Sequence, residues 1–534
     1  MESVNTRQLI QGFSVAIFLF LLWKILYNCY LLPSLAYAKL TKHGFGGPVP
    51  CFPFGNLKDM KMEKRNSTRE IITIHSSSSS YSSGVGIITH DIHSLVSPYF
   101  ARWQKLYGKV FIYWLGTEPF LYIANPELLK QISAAVMGKS WGKPTVFKED
   151  REPMFGKGLN MVEGNDWVRH RHIITPAFTP SALKGMTSLM VESAKKTVDR
   201  WTTMTECGGV EIDVQGEITS MTAEIIGKAS FGITYKEGKH VFEKLRAIHA
   251  TLFKSTRYVG VPFGNLLSPR KTMEANKLGK EIDDLLIAII EDRRKRSPSG
   301  RDLLSLLLTE NEGMMGKTVG KTALTSKELV DECKTFFFGG HETITLALTW
   351  TLLVLTLHPE WQRELKEEIK EVIGDDHLCE VDATKLAELK KMELVMSEVL
   401  RLYPPSPNAQ RQARADIRVD SIVVPRGTNM WVDIVSMHHD KELWGEDANE
   451  FKPERFQDDM NGGCKGKAGF LPFGFGGRMC IGRNLATMEY KIVLTLILTR
   501  FSFSVSPNYK HSPSIMFSLR PAHGLPLLVS TLQN

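Results

Sequence analysis

The chain has no C-x-x-C pair, and its seven cysteines are odd in number and scattered. A disulfide framework is therefore not expected, and the folded part should face a reducing compartment. Charge is not concentrated either: a net +8 over 534 residues is moderate and spread along the chain. That argues against nucleic-acid binding, and a basic docking face for an acidic partner or an anionic membrane suits it as well. No internal repeat is apparent. Before the first apolar run there is no basic residue beyond Arg7, and its flank at Tyr27 and Tyr30 is aromatic without an A-x-A-like site, so a cleaved secretory signal is disfavoured.

What is present first is that apolar run, Leu9 to Leu32, with its core at Phe13 to Trp23. As a helix it would reach about 36 Å, enough to cross a bilayer once. Gln11, Lys24 and Asn28 interrupt it, while Tyr27 and Tyr30 suit a membrane interface. Lys39 and Lys42 follow, and the positive-inside bias puts the rest of the chain in the cytosol. Residues 1–32 thus read as a retained single-pass anchor, 33–56 as a hinge stiffened by Gly46-Gly47-Pro48-Val49-Pro50-Cys51-Phe52-Pro53, and 57–534 as one catalytic domain.

Within that domain, His75 to Gly84 is a serine tract expected to be a loop without function. Arg293-Arg294-Lys295-Arg296 closes an apolar helical run and reads as a solvated helix end. Helices are expected over Pro98 to Leu106, Ala182 to Trp201, Ala275 to Lys295, Glu328 to Leu357, Pro359 to Ile373 and Leu386 to Leu402. Ser421 to Val424 and Asn429 to Ile434 alternate as strands do. With 43% hydrophobic and 23% charged residues there is material for a large core, so the fold class expected is mainly α with a minor β-sheet.

Cys480 stands in a glycine-rich loop, Phe473 to Gly482, with Arg478 two positions before it and a helical pattern, Asn484 to Leu498, after it. Most intracellular cysteines are inert core residues. A zinc site would need ligands the neighbourhood lacks, and a nucleophile would need a base that no adjacent histidine supplies. Arg478 and a helix start both favour the thiolate. From the residues alone, all of these readings stay open.

The spacing F-x-x-G-x-R-x-C-x-G, complete as Phe473, Gly476, Arg478, Cys480 and Gly482, resembles the haem-ligand loop of the cytochrome P450 monooxygenases. The resemblance implies a helix-rich fold around haem b, with Cys480 as the axial iron ligand. Phe473 would shield the sulfur, Gly476 and Gly482 would permit tight turns, and Arg478 would pair with a haem propionate. Trp167 and Arg171, in a W-x-x-x-R spacing, become further propionate contacts, as does Arg411.

Gly339-Gly340-His341-Glu342-Thr343 lies inside a long apolar helix that opens with the capping-box pattern Thr325-Ser326-Lys327-Glu328. It resembles the family's oxygen-activation motif, in which a kink makes room for O2, Glu342 would relay protons and Thr343 would hydrogen-bond the oxygen ligand. Many relatives carry a second hydroxyl residue next; here it is Ile344. Glu398-Val399-Leu400-Arg401 followed by Pro453-Glu454-Arg455-Phe456 resembles the family's buried triad, so Glu398, Arg401 and Arg455 would brace the haem loop. His438, His439 and Asp440 read as framework, and Asn66-Ser67-Thr68 as a glycosylation sequon left unused in the cytosol.

The resemblance implies an enzyme of the endoplasmic reticulum membrane, fed electrons from NADPH through a flavoprotein reductase, that inserts one atom of O2 into a lipophilic small molecule. Arg169, His170, His172, Lys465 and Lys467 would form part of the basic face toward that reductase. Pocket residues are expected from Trp141 to Asn160, Tyr258 to Leu267, Phe336 to Phe338, Ser406 to Ala409 and Ile515 to Ser518. Phe336 to Thr343, Thr356 to Ile369 and Trp167 to Met186 are similar to plant members, in the group that includes cytokinin and gibberellin hydroxylases. Two competing readings are an oxygen-independent haem-thiolate isomerase or dehydratase, and a non-catalytic anchored haem-binding protein.

Overall fold

Helices dominate the computed structural model, which describes residues 6–63, 88–136, 141–206, 208–253, 258–295, 302–317, 323–374, 382–419 and 422–532. The serine tract and the Asn66 sequon lie outside these residues.

The axis is the helix Ser326–Leu357, most of it buried. Its start is fixed as the sequence predicts: the Thr325 side chain accepts from Glu328 N, and the Glu328 carboxylate accepts from Thr325 N. The glycine pair does not interrupt it. A Cβ on Gly340 would lie 2.4 Å from Ile226 Cδ1, so this glycine lets the helix Val214–Phe231 cross closely. A Cβ on Gly339 would meet nothing within 4 Å.

Two expected helices are each divided. Ala182 to Trp201 becomes Pro180–Lys184 and Thr187–Thr205. Leu386 to Leu402 becomes Ala383–Glu388 and Lys390–Leu402, because buried Leu389 turns the chain and the Glu368 carboxylate accepts from Lys391 N (2.5 Å) and Met392 N (2.9 Å). A backbone donor satisfied by a side chain at a first turn is what starts a new helix. Arg293 is not solvated as its charge run suggested: it bonds Phe231 O (2.6 Å), Ser305 Oγ (2.9 Å) and the Asp302 carboxylate, pinning the end of Pro269–Lys295.

The largest sheet, with five strands, is ordered Val110–Leu115, Glu118–Ile123, Asn429–Asp433, Asn408–Ala413 and Trp141–Gly142. Only the pairing of Glu118–Ile123 with Asn429–Asp433 is parallel. It delivers Asn408–Ala413 to the edge of the cavity described below.

Toward the N-terminus, helix Thr6–Leu26 continues through a five-residue π turn, Tyr27–Leu31, into Leu32–Lys42, so helical structure runs ten residues past the expected boundary at Leu32. From Leu9 to Lys42 this segment is long and apolar enough to cross a membrane; its large side chains from Leu9 to Leu26 are exposed, while Leu40 near its end is buried against the sheet core. Ser326–Leu357 passes the same length test but is core. The hinge glycines and prolines dock on the sheet: Ile112 N donates to Gly46 O (2.8 Å) and Trp114 N to Asn56 Oδ1 (2.9 Å). A Cβ on Gly47 would fall 1.9 Å from Ile112 O, so glycine is required there.

Candidate haem-thiolate site

Cys480 lines a mostly apolar cavity of about 400 Å³ together with Phe473, Arg478 and Gly482 from its own loop and Thr343 from the central helix. The loop is held by its backbone, with Cys480 N donating to Phe473 O (2.9 Å) and Met479 N to Gly476 O (3.1 Å). Gly474 (φ +80°) and Gly476 (φ +61°) adopt left-handed backbone, and a Cβ on Gly476 would sit 2.9 Å from Ser133 Oγ. Gly476 thus sits at a turn whose backbone and surroundings favour glycine. Gly482 differs: at φ −85° it is an ordinary N-cap for helix Arg483–Leu498, and a Cβ there would lie 3.9 Å from Cys480 Sγ. At that distance a Cβ would make only ordinary contact, so the described residues impose no steric need for glycine here.

Burial raises the Cys480 thiol above its ordinary pKa, while the Gly482 amide and the positive Arg171 pull it down. The cation that acts on the sulfur is thus Arg171, not Arg478 as loop position suggested. Arg171 Nη1 donates to Met479 O (3.1 Å), which ties helix Gly164–Ile174 to the loop. An iron ion would reverse the balance set by burial, since a coordinating thiol is deprotonated outright.

Four cationic side chains, Lys143, Arg171, Arg411 and Arg478, line this cavity. Arg478 donates to Val162 O (2.8 Å) and lies 4.6 Å over the Trp167 ring, which also lines the cavity. Arg411 donates to Gln410 O (2.8 Å) and lies over Trp141 and Phe475. Arg411 Nε and Arg478 Nη2 are buried without a protein partner. Buried cationic donors left over in a cavity call for anionic oxygens. The two propionates of a haem would supply them, and the thiol, the apolar lining and the open face at Gly339 suit the ring. Lys143 is a cation the sequence reasoning missed. Burial, and then the positive Arg411, hold its amine well below the usual lysine range, a signal available only once those charges are seen together.

Residues 87–526 match the family model described as Cytochrome P450. A cytokinin hydroxylase of Arabidopsis thaliana is 35% identical across 97% of this chain and 98% of its own length. A second cytokinin hydroxylase from the same plant is 35% identical across 98% and 99%. Cytochrome P450 714C3 of Oryza sativa subsp. japonica is 34% identical across 92% and 93%. The chain belongs to the cytochrome P450 family. It is a monooxygenase that uses haem and O2, with electrons supplied by a reductase.

In this P450 the residues Glu398, Arg401 and Arg455 come together beneath the loop. Arg401 donates twice to Glu398 and also to His438 O (2.8 Å) and Ala448 O (2.6 Å). Arg455 Nε lies 3.5 Å from Glu398 Oε1, and its Nη2 pairs with Asp447 at 2.8 Å. His438 carries the brace onward: its Nδ1 lies 3.1 Å from Arg401 O, and its Nε2 accepts from Leu471 N (2.9 Å), two residues before Phe473. The histidines are framework, as the sequence suggested.

Thr343 Oγ1 donates to Gly339 O (2.8 Å), leaving its lone pairs for the cavity. Glu342 is not among the cavity-lining residues. Its carboxylate accepts from Ser518 Oγ (2.6 Å) and pairs with Arg520, on strand Ser518–Pro521. Burial pushes that carboxyl up, but Arg520 and the neighbouring His341 outweigh it and keep it below the usual range. The expected acid–hydroxyl pair is adjacent in sequence but turned to different surroundings.

The basic-face expectation needs correction for two residues. His170 is fully buried, with Nδ1 2.6 Å from Glu332 Oε1, and Arg169 pairs with Glu328 at 2.5 Å; both fasten their helix to the central helix. His172, Lys465 and Lys467 are exposed. Of the expected pocket segments, Tyr258 to Leu267 and Ile515 to Ser518 do not line this cavity, whereas Asn160, Phe336 and Asn408 do. Glu489 was missed altogether: it lines the cavity, is buried, and its Oε1 has no partner.

Proposed function

We propose that this P450 hydroxylates a C–H bond of a lipophilic plant hormone, terpenoid or related isoprenoid, from the endoplasmic reticulum membrane with its catalytic domain in the cytosol. One arrangement carries the reading: Cys480, the unpaired donors of Arg411 and Arg478, and Thr343 border a single apolar cavity. Haem b, when bound, supplies the oxygen activation, and a thiolate ligand favours O–O cleavage. Cys480 would hold the iron, Arg171, Arg411 and Arg478 the propionates, and Phe473 the approach to the sulfur.

Thr343 would act as an acceptor, because its own proton is engaged by Gly339 O. It can therefore steady a proton-bearing oxygen in the cavity. Glu342 would deliver protons only after leaving Arg520 and Ser518, so Arg520 would govern when its carboxylate turns inward. Electrons would originate in NADPH and arrive through a flavoprotein reductase docked by His172, Lys465 and Lys467, which lie on the surface.

The helix Leu9–Lys42 supports anchoring, and Phe54, Phe263, Leu266 and Leu267 are exposed apolar side chains suited to a membrane surface; Phe54 faces Tyr258 across 6.3 Å. The names of the two cytokinin hydroxylases favour a plant hormone as substrate. An oxygen-independent isomerase would have no use for the inward-facing lone pairs of Thr343.

Microsomal co-expression with a plant reductase, followed by product mass analysis over hormone and terpenoid candidates, tests the proposal. Carbon monoxide should give the thiolate-type Soret shift, and Cys480→Ala should abolish it. A reduced protein without that shift overturns the reading, and turnover without NADPH or O2 restores the isomerase.

A further inference from the structure

Strand Asn408–Ala413 sends Asn408 and Gln410 to one face, two residues apart. Arg151, on helix Thr145–Phe155, reaches this face from the opposite side. It is buried, its Nη1 donates to Gln410 Oε1 (2.8 Å), and its guanidinium lies 4.2 Å from the Phe147 ring centre and 5.3 Å from that of Phe517.

An arginine only donates, so it dictates which end of the Gln410 amide faces it. With Oε1 taken, Gln410 Nε2 points along the strand and donates to Asn408 Oδ1 (2.6 Å). Asn408 therefore turns its Oδ1 toward Gln410 and its NH2 away from it. Among the described residues, Asn408 borders the Cys480 cavity with no protein hydrogen-bond acceptor recorded at Nδ2. The direction of this chain is set at Arg151 and ends at the cavity.

We infer that Asn408 presents an N–H donor to the substrate, which therefore carries an accepting oxygen, a carbonyl or carboxylate, on its apolar skeleton. Arg151 and Gln410 are positioning residues that hold the Asn408 amide in this sense. The assignment rests on the cavity being the haem-and-substrate site proposed above. Asn408 is half-buried, and a donor that a bound ligand cuts off from water discriminates strongly against ligands that leave it unpaired.

Imidazole probes separate the two claims, because the azole anchors on haem iron whatever its tail does. The full-length holoprotein would be titrated, by Soret shift, with an imidazole bearing a dodecyl tail, the same tail ending in a carboxylic acid, and its methyl ester. The acid and ester should bind roughly tenfold or more tighter than the alkyl probe. Asn408→Leu should erase that preference, and Asn408→Asp, which offers only an acceptor, should turn the acid into the poorest ligand. Arg151→Met should lose the preference while Arg151→Lys, which still donates to Gln410, retains it; the two Asn408 variants decide the matter even if Arg151→Met does not fold. A normal azole shift without oxygen preference, or a preference unchanged in Asn408→Leu, overturns this inference alone. No shift with any probe overturns the haem reading and this with it.

Discussion

Arg401 holds Glu398 through two parallel hydrogen bonds, Nε to Oε2 at 2.7 Å and Nη2 to Oε1 at 2.8 Å, with both side chains fully buried. The pair is joined to the thiolate loop through His438 and Leu471, so its energetics bear on haem retention. Removing one partner strands a charge in the core at a cost of about 3–5 kcal/mol. Glu398→Gln and Arg401→Leu should both yield protein with a lowered melting temperature and depleted haem, read by thermal denaturation and by the carbon monoxide difference spectrum.

Thr343 offers a different test, because only its lone pairs face the cavity. Thr343→Val keeps the shape and removes the acceptor. Product formed per NADPH consumed should fall roughly tenfold or more, with electron consumption continuing, while Thr343→Ser should keep most of the yield. Equal coupling in wild type and Thr343→Val would remove Thr343 from proton handling.

The contrast between Cys480 and Glu342 shows what was legible beforehand. The backbone at Cys480 and Gly476 is held by hydrogen bonds within ten residues, so their linear spacing carries the geometry, whereas the Arg478 side chain finds Val162 O 316 residues away. The capping box at Thr325 is local in the same way. Glu342 takes its partners from Ser518 and Arg520, 176 and 178 residues away, and His170 takes Glu332 across 162. No periodicity announces such pairs, and so the carboxylate expected to relay protons is held by Arg520 and Ser518, and the histidine expected on a basic face is core. Gly340 is the intermediate case: its presence was visible, but the reason, contact with Ile226, belongs to helix packing.

Acid should loosen the brace. Burial, then His439 and Arg401, push His438 down to about 3, and burial and Arg401 push His439 down to about 4, from an ordinary 6.5. Groups depressed on folding contribute stability that is complete above pH 6.5 and lost as pH falls toward those values. The melting temperature of the holoprotein should therefore drop steeply below pH 6.5, and His438→Gln should show a shallower slope from a lower starting stability. A slope unchanged by that variant would mean that other groups drive acid unfolding.

Glu489 predicts the opposite trend. It is a buried carboxyl on helix Arg483–Leu498 with an unpartnered Oε1, and burial alone pushes it well above the ordinary 4.5. The folded protein accordingly keeps this proton to higher pH than the unfolded chain does. Its contribution is complete below pH 4.5 and is lost as pH rises toward the folded value, at about 1.4 kcal/mol for each pH unit crossed. Glu489→Gln has nearly the shape of the protonated acid and cannot ionise, so it removes that loss. The variant should melt close to wild type at pH 5 and above it at pH 8, with a gap that widens with pH. Melting curves that stay parallel across that range would show that Glu489 is ionised in the folded enzyme and that a cation or water in the cavity compensates it.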